Sequence, residues 1–264
     1  MTALAALGPL ALDSVAGAPR RPGGAVLYAA RTFAHLGADA HVAVSCAAAD
    51  RPLLRPALET LGLPVRWRES STTAAYSFRY EGDQRTMRQD AVADPWTPEE
   101  AVAAVGDAAW VHVGALVRSD FAPETLAALA SGRSVLVDAQ GLVRTPALGP
   151  LRMDDEIGAA LDGPAILKLN DEEAEILTGS TEPARLRELG VPEVLLTLGS
   201  RGAVVVTRER AEAVPAVQVD GSLDPTGAGD VFAAAYLVAR ARGAEPVEAA
   251  RSAASAVAAV LGGR

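Results

Sequence analysis

The chain has 264 residues, half of them hydrophobic, and a formal net charge of −9 at pH 7. This length and apolar content suffice for one large domain with a sizeable core. The negative charge argues against a general nucleic-acid binder, which needs a basic face, and no apolar run reaches the roughly 18 residues of a membrane span.

Short apolar runs alternate with amphipathic segments along most of the chain. The first run lacks a preceding basic segment, so it is interpreted as a strand rather than a signal peptide. The predicted strands are Leu4–Leu10, His41–Cys46, Trp110–Val113, Ser134–Asp138, Ala165–Leu169, Val194–Leu198 and Ala203–Thr207. The predicted helices are Ala25–Leu36, Pro52–Leu61, Pro98–Val105, Pro123–Ala130, Asp171–Thr178, Pro183–Leu189, Ala228–Arg242 and Pro246–Leu261. This alternation predicts an α/β fold with a parallel sheet covered on both faces.

One segment departs from the alternation. Residues Val65–Met87 are rich in Thr, Tyr, Phe and Arg, and the sequence YEGDQR within them is a turn signal between two extended runs. The pattern predicts antiparallel strands outside the main sheet, a flap that can exclude water from a site. Because the chain has no repeat or linker, we expect a single domain over residues 1–264, with a small β lid mainly from about residues 65–88.

A glycine-rich turn precedes a long Ala-rich segment in DPTGAGDVFAAAYL, Asp224–Leu237. A helix that begins there leaves N–H groups without intrahelical partners and carries the positive end of the helix dipole. Gly227 and Gly229 allow an anion to approach those groups, and Asp230 in the first turn could accept a proton from a hydroxyl beside it. The sequence GAGD alone is also compatible with an ordinary loop and an acidic first helical turn, which stabilises a helix without any ligand.

The longer string favours a functional interpretation, because DPTGAGDVFAAAYL resembles the C-terminal motif of the PfkB, or ribokinase-like, family of carbohydrate and nucleoside kinases. Four further segments resemble family motifs in the family's order: PRRPGGAVLYAARTFAHLGADAHV, VDAQGLVR, LKLNDEEAEILTG and LLTLGSRGAVVV. The resemblance covers nearly the whole chain. It implies a three-layer α/β/α ribokinase-like sandwich with a mostly parallel central sheet and a small, reduced β lid, and ATP-dependent phosphorylation of a hydroxyl.

The resemblance also implies roles for individual residues. Catalysis is expected at Asp230 with Gly227, Ala228 and Gly229. ATP is expected at Lys168, Asn170, Glu173, Thr197, Gly199, Gly202, Thr226, Gly227, Gly229 and Ser255. The acceptor is expected at Asp13, Gly23, Gly24, Tyr28, Gln140, Arg144 and Asp230. Asn170 and Glu173 are expected to support Mg²⁺ through water, and a K⁺ site can lie beside Asp224.

Several of these residues also have plain structural explanations. Asn170 and Glu173 have the spacing of a capping box. Lys168 could equally be a solvated lysine, and the pair Gly23–Gly24 could be a simple turn.

The chain departs from the family pattern at three places. Tyr28 stands where the family often has an asparagine, and a phenol cannot reproduce the hydrogen bonding of an amide, which argues against a ribokinase-type furanose pose. Gln140 and Arg144 stand where many sugar kinases have an Asn-containing version. Tyr28 and the pair Gln140–Gly141 together resemble inositol-kinase-like branches of the family. The short distance from Asp13 to Gly23 predicts a reduced lid, so lid-mediated homodimerisation is left open.

Two functions remain open at this point. The first is an ATP-dependent kinase for a sugar, cyclitol or nucleoside. Its expected partners are a small-molecule substrate and, in a homodimer, a second copy of the chain. Neither nucleic acid nor a membrane is expected as a partner. The second is an inactive ligand-binding or regulatory protein on the same fold. An NAD-dependent oxidoreductase is disfavoured, because no glycine fingerprint follows the first strand. Cys46 alone cannot form a disulfide within the chain, which fits a cytoplasmic location.

Overall fold

The structure, a computed structural model, describes residues 3–15, 18–81, 84–218 and 226–262. Its strands are β1 (Leu4–Pro9), β2 (Ala11–Val15), β3 (Arg21–Gly23), β4 (Ala40–Cys46), β5 (Val65–Glu69), β6 (Ala74–Glu81), β7 (Gln84–Ala91), β8 (Trp110–Val113), β9 (Ser134–Asp138), β10 (Gly149–Pro150), β11 (Ile166–Asn170), β12 (Glu193–Thr197), β13 (Ala203–Thr207) and β14 (Ala211–Val214). Its helices are α1 (Ala25–His35), α2 (Arg51–Leu54), α3 (Pro56–Glu59), α4 (Pro98–Val105), α5 (Pro123–Ala130), α6 (Gln140–Val143), α7 (Asp171–Thr178), α8 (Pro183–Arg187), α9 (Ala228–Ala241) and α10 (Pro246–Gly262).

Most strands form one large sheet in the order β14-β13-β12-β11-β9-β8-β1-β4-β5. The strands from β12 to β5 pair in parallel, whereas β13 and β14 are antiparallel additions at one edge. Side chains alternate between the two faces: Leu4 and Ala6 join one apolar cluster, and Ala5 and Leu7 join the other. Both clusters are buried, which is why the parallel strands read as nearly continuous apolar runs.

Helices cover both faces of this sheet. Helices α1, α9 and α10 contribute to one apolar cluster, and helices α4, α5, α7 and α8 contribute to the other. The predicted three-layer α/β/α sandwich is therefore confirmed. In the described part of the chain, no helix is both long enough and apolar enough to cross a membrane.

A second, smaller sheet has the order β10-β7-β6-β2-β3. The predicted antiparallel hairpin is present as β6 and β7, but the sheet is larger than the expected lid over residues 65–88. Strand β2 pairs in parallel with β6, and β3 and β10 occupy the two edges. Conversely, β5 is an edge strand of the large sheet, parallel to β4, and its half-exposed alternating pattern is what made it resemble a lid strand.

The two sheets meet where β1 ends. The chain passes from β1 through Leu10 directly into β2, so the small sheet begins at the carboxyl edge of the large one. Strands β8, β9, β11 and β12 end at that same edge because they are parallel to β1. Ligands of open α/β sheets bind at this edge, and it is where the predicted motifs converge.

Candidate active site

Helix α9 begins at the predicted glycine turn. Gly227 is its N-cap, with φ of +82°, and no side chain caps the helix there. The amides of the first turn therefore have neither an intrahelical acceptor nor a side-chain cap. Asp230 lies in this first turn, as the sequence predicts. Within the described residues, the turn thus places backbone donors without a side-chain cap beside a carboxylate.

A cleft of about 460 Å³ opens beside this turn. It follows the carboxyl edge of the large sheet from the end of β9, past β11 and β12, to the β13 and β14 edge. Twelve of the predicted site residues line it: Gln140, Arg144, Lys168, Asn170, Glu173, Thr197, Gly199, Gly202, Gly227, Ala228, Gly229 and Asp230. The structure therefore brings four separated motifs to one cavity.

The far end of the cleft is apolar. The lining side chains there belong to the β13–β14 edge and to α10: Ala203, Ala216, Val217, Ala254, Val257 and Ala258. The sequence motifs did not identify these residues, since small apolar side chains carry no chemical signature. The cleft thus has a charged end at Asp230 and an apolar end at α10.

A buried ion pair lies beneath the turn. Lys168 Nζ donates to Asp138 Oδ2 at 2.8 Å, and both side chains are almost completely buried. Burial opposes the charge of Lys168, but the carboxylates of Asp138 and Glu173 outweigh it and raise the pKa of the ammonium. A Cβ on Gly229 would lie only 2.8 Å from Lys168 Nζ, so the absence of a side chain there lets the turn rest on the ammonium group. Lys168 is thus buried and paired rather than solvated.

Asp138 was missed by the residue-level sequence prediction, although its strand was recognised. Its other oxygen, Oδ1, accepts a hydrogen bond from the backbone amide of Gln140 at 3.1 Å. The side-chain amide of Gln140 in turn donates to Asp230 Oδ1 at 3.4 Å. Gln140 therefore connects the two carboxylates and orients Asp230.

The carboxyl group of Asp230 has an unusual electrostatic environment. Burial, and then the negative charge of Asp138, raise its pKa to about 7, while Lys168 and Arg144 oppose the shift. A carboxylate with such a pKa takes up and releases a proton near neutral pH, which is what a general base requires.

Asn170 and Glu173 cap helix α7 reciprocally. Asn170 Oδ1 accepts from the Glu173 amide at 2.8 Å, and Glu173 Oε2 accepts from the Asn170 amide at 2.9 Å. The structural explanation from the sequence is therefore correct, yet both residues also line the cleft. The described residues include no group of three or more His, Cys, Asp or Glu side chains that could hold a metal. These two residues fit a Mg²⁺ ion held mainly by phosphates and water, and not a metal caged by protein.

The other four predicted acceptor residues, Asp13, Gly23, Gly24 and Tyr28, lie on the lid side of the same turn. Asp13, on β2, is buried, and a Cβ on Gly23 would come within 2.7 Å of its Cγ, so the carboxyl group lies directly over Gly23. Gly24, with φ of +102°, is the N-cap of α1. One helical turn later, the ring of Tyr28 packs against Gly227. Contacts therefore run continuously from Asp13 to the start of α9.

Three further predicted site residues are not among the described residues that line the cleft: Ser255, Thr226 and Asp224. Ser255 is exposed and donates to the Arg251 carbonyl at 3.1 Å, so it does not line the cleft. Its neighbour Ala254 does, because successive residues of a helix point about 100° apart. Thr226 is half-buried immediately before the turn, and Asp224 lies outside the described residues.

Comparison with known proteins identifies the family of the chain. The model of a protein family described as pfkB family carbohydrate kinase matches residues 13–263. The chain belongs to the pfkB family of carbohydrate kinases. This confirms the family predicted from the sequence, and members of the family are phosphotransferases.

Two pfkB-family relatives show how far the similarity extends. Ribokinase of Arabidopsis thaliana is 39% identical over 109 residues, which are 36% of this chain and only 28% of that protein. The solved structure of that ribokinase complexed with ribose and ATP is 22% identical, with a TM-score of 0.77, over 97% of this chain and 91% of the other. A pyrophosphate-dependent kinase in the ribokinase family, complexed with a pyrophosphate analog and myo-inositol, is 24% identical, with a TM-score of 0.85, over 98% and 94%. These structures confirm the ribokinase-like fold.

Proposed function

We propose that the protein is a small-molecule kinase that transfers the γ-phosphoryl group of ATP to a hydroxyl of a sugar, cyclitol or nucleoside. The observation that carries this proposal is the position of Asp230 beside the uncapped amides of its own helix turn. Two cations, Lys168 and Arg144, line the same cleft. Membership of a carbohydrate kinase family supports the same reaction class.

In the proposed reaction, the acceptor oxygen attacks the γ-phosphorus while the bond from that phosphorus to the β,γ-bridging oxygen breaks. The electron pair of the broken bond leaves with ADP, and the proton of the hydroxyl passes to Asp230. The amides of Ala228 and Gly229 donate hydrogen bonds to the oxygens of the moving phosphoryl group. Arg144 lines the cleft, so its guanidinium group could also bind a phosphate oxygen.

The apolar end of the cleft favours ATP over pyrophosphate as the donor. The similar pyrophosphate-dependent kinase makes both donors worth testing. Pyrophosphate has no apolar part, whereas the base of a nucleotide buries an apolar face in such a slot. The cleft of about 460 Å³ extends well past the charged end, to α10, so it offers room that a diphosphate would leave unfilled.

Metal ions belong to the proposal only in a limited way. Mg²⁺ bound with the nucleotide neutralises phosphate charge, and Asn170 and Glu173, which line the cleft, would hold its water ligands. A K⁺ site beside Asp224, a homodimer and a cytoplasmic location remain predictions from the sequence.

The acceptor is proposed to bind between the lid and the α9 turn. Asp13 would accept hydrogen bonds from its hydroxyls, and the backbone of Gly23 and Gly24 would allow it to approach closely. The two solved relatives bind ribose and myo-inositol, which motivates a panel of pentoses, hexoses, cyclitols and nucleosides. Formation of ADP with each compound identifies the acceptor.

The decisive variant is Asp230→Asn. It keeps the shape of the side chain but removes the base, so we expect turnover of the identified acceptor to fall by at least ~100-fold. Asp162→Asn, at an exposed position, is the control and should keep full turnover. Near-normal phosphorylation by Asp230→Asn would remove this residue from the mechanism.

An inactive ligand-binding protein on the same fold is the alternative. The intact arrangement of Asp230, Lys168 and the capped Asn170–Glu173 pair supports the kinase instead. Saturable binding of a panel compound, observed by calorimetry without ADP formation from ATP, would favour the alternative.

A further inference from the structure

We propose that Tyr28 is a positioning residue of the phosphoryl-binding turn, and not an acceptor ligand as the family resemblance implies. The inference rests on the proposed kinase function and adds a role that the sequence motifs do not give this residue. A Cβ built on Gly227 would come within 2.5 Å of Tyr28 Cδ1 and closer still to Cε1. One side of the phenol ring, with Cδ1, Cε1 and Cζ, therefore occupies the space that a side chain at position 227 would fill.

The turn at Gly227 needs such support from outside. Helix α9 begins without any capping side chain, and Gly227 has a left-handed backbone conformation, with φ of +82° and ψ of 4°. A glycine in that conformation is the least restrained kind of N-cap. Without contact from another element, the amides that follow it would sample more than one direction.

Two side chains from other elements hold the turn from different directions. The Tyr28 ring packs on Gly227, and the Lys168 ammonium lies under Gly229. Lys168 is itself fixed by its 2.8 Å bond to Asp138. Both glycines therefore have a packing role, in addition to allowing an anion to approach. The Tyr28 ring at Gly227 and the Lys168 ammonium at Gly229 each occupy the space that a Cβ would fill. The amides between them are fixed relative to the sheet.

Tyr28 is well restrained for this purpose. It lies on α1, one turn after the N-cap Gly24, whose carbonyl accepts from the Tyr28 amide at 3.4 Å. Its own carbonyl accepts from the hydroxyl of Thr32 at 2.8 Å, and the guanidinium carbon of Arg31 lies 5.7 Å from its ring centroid. Because Gly24 belongs to the proposed acceptor site, the ring also connects that site mechanically to the phosphoryl-binding turn.

The ring, and not the hydroxyl, carries this role, which separates it from direct acceptor binding. Tyr28→Phe should therefore keep kcat and the acceptor KM within about twofold. Tyr28→Ala should lower kcat at least about tenfold, since displaced oxyanion donors lose transition-state stabilisation, while the acceptor KM changes much less. Circular dichroism and Tm show whether each variant is folded, and kcat is counted per folded molecule.

Three results of these kinetic and folding measurements would overturn the inference. Unchanged kcat in Tyr28→Ala would mean that the turn needs no ring. A large rise in the acceptor KM in Tyr28→Phe would mean that the hydroxyl binds the acceptor. A loss of kcat in Tyr28→Ala that is fully explained by unfolded protein would mean a purely structural role.

A binding measurement keeps this test apart from the proposed function. If the wild-type protein phosphorylates no panel compound, the kinase proposal fails. The positioning role is then tested by measuring the Kd of a non-hydrolysable ATP analogue. This Kd should rise at least about fivefold in Tyr28→Ala, because the phosphate-binding amides would be misplaced. It should stay unchanged in Tyr28→Phe. Equal affinity in both variants, or no binding by the wild type, would overturn it.

Discussion

The side chain of Asp230 lies in surroundings where its ionised form destabilises the folded protein. Burial and the neighbouring charge of Asp138 both disfavour its ionised form, and the hydrogen bond that it accepts from Gln140 is long at 3.4 Å. The same features make Asp230 a competent base near neutral pH, since a carboxylate of ordinary pKa would bind the proton too weakly. The proposed chemistry therefore has a cost in stability that can be measured.

Because ionised Asp230 destabilises the folded protein, we expect Asp230→Asn to stabilise the protein at alkaline pH. The pKa of Asp230 is raised from 3.8 to about 7 in the folded chain, so between these values the folded state binds the proton and the unfolded state does not. Stability therefore falls as pH rises through that window. At pH 8 we expect the Tm of Asp230→Asn to exceed that of the wild type by about 2–4 °C, the effect of about 1 kcal/mol in a domain of this size.

The difference in Tm should shrink as pH is lowered toward 5, which scanning calorimetry at several pH values would show. Glu209→Gln, at an exposed bend, is a control that should leave Tm nearly unchanged throughout. Equal Tm values for Asp230→Asn and wild type at pH 8 would mean that Asp230 is not strained by its surroundings.

Where a residue type and a motif coincide, the sequence predicts residues that the structure brings together. Asp230, Asn170 and Glu173 stand out in the sequence, and the structure brings them to one cleft. Asp138 could be recognised only as the end of a strand, because its importance depends on pairing with Lys168 across 30 residues of chain. No local pattern specifies which buried cation meets which carboxylate.

At the scale of elements, α10 forms one wall of the apolar end of the cleft. Ala254, Val257 and Ala258 face the cleft, whereas Ser255 faces solvent. The small side chains on the cleft side leave a slot, and the proposed function assigns that slot to the base of the nucleotide.

The assignment predicts that Ala258→Trp impairs nucleotide binding selectively. The larger side chain would fill the slot, so we expect the ATP KM to rise at least about tenfold, a loss of about 1.4 kcal/mol of binding, while the acceptor KM stays nearly constant. Ser255→Trp places the same side chain on the exposed face of the same helix and should leave both constants unchanged. Equal ATP KM values in the two variants would show that the base lies elsewhere.

Element boundaries followed the sequence closely where both faces of a strand are buried. The predicted bounds of β8, β9 and β13 are those of the structure. Strand β5 was assigned to the lid because an edge strand exposes one side and so alternates like a lid strand. Strands β2 and β3 were missed because they are short: β3 pairs only with β2, and β2 pairs with β6, about 60 residues away in sequence. Their pairing is a tertiary property.

At the scale of the whole molecule, the two sheets differ in how many buried apolar side chains pack against them. The large sheet lies between two extensive buried clusters. The small sheet has only a modest cluster, which includes Tyr76, Phe78 and Leu116. Local stability follows buried apolar contact, so the small sheet should open more readily than the large one. A lid that opens readily suits a site that must admit an acceptor and then exclude water.

Hydrogen exchange should resolve this difference. Without ligand, amides of β6 and β7 are expected to exchange faster than those of β1 and β9. Asp13 lies on the small sheet, and Gly24 is the N-cap of α1, which packs on the large sheet, so an acceptor that contacts both would tie the sheets together. Adding the identified acceptor should therefore slow exchange in β6 and leave β9 unchanged.

Asp13→Asn is the matched variant for this measurement, because it removes the charge through which the acceptor would hold the small sheet. At an acceptor concentration that saturates the wild-type protein, the variant should show little protection of β6. If the acceptor protected β6 equally in both proteins, Asp13 would not be the link between ligand and lid. If it protected only β9 and its neighbours, the acceptor would bind away from the small sheet altogether, and that sheet would not act as a lid.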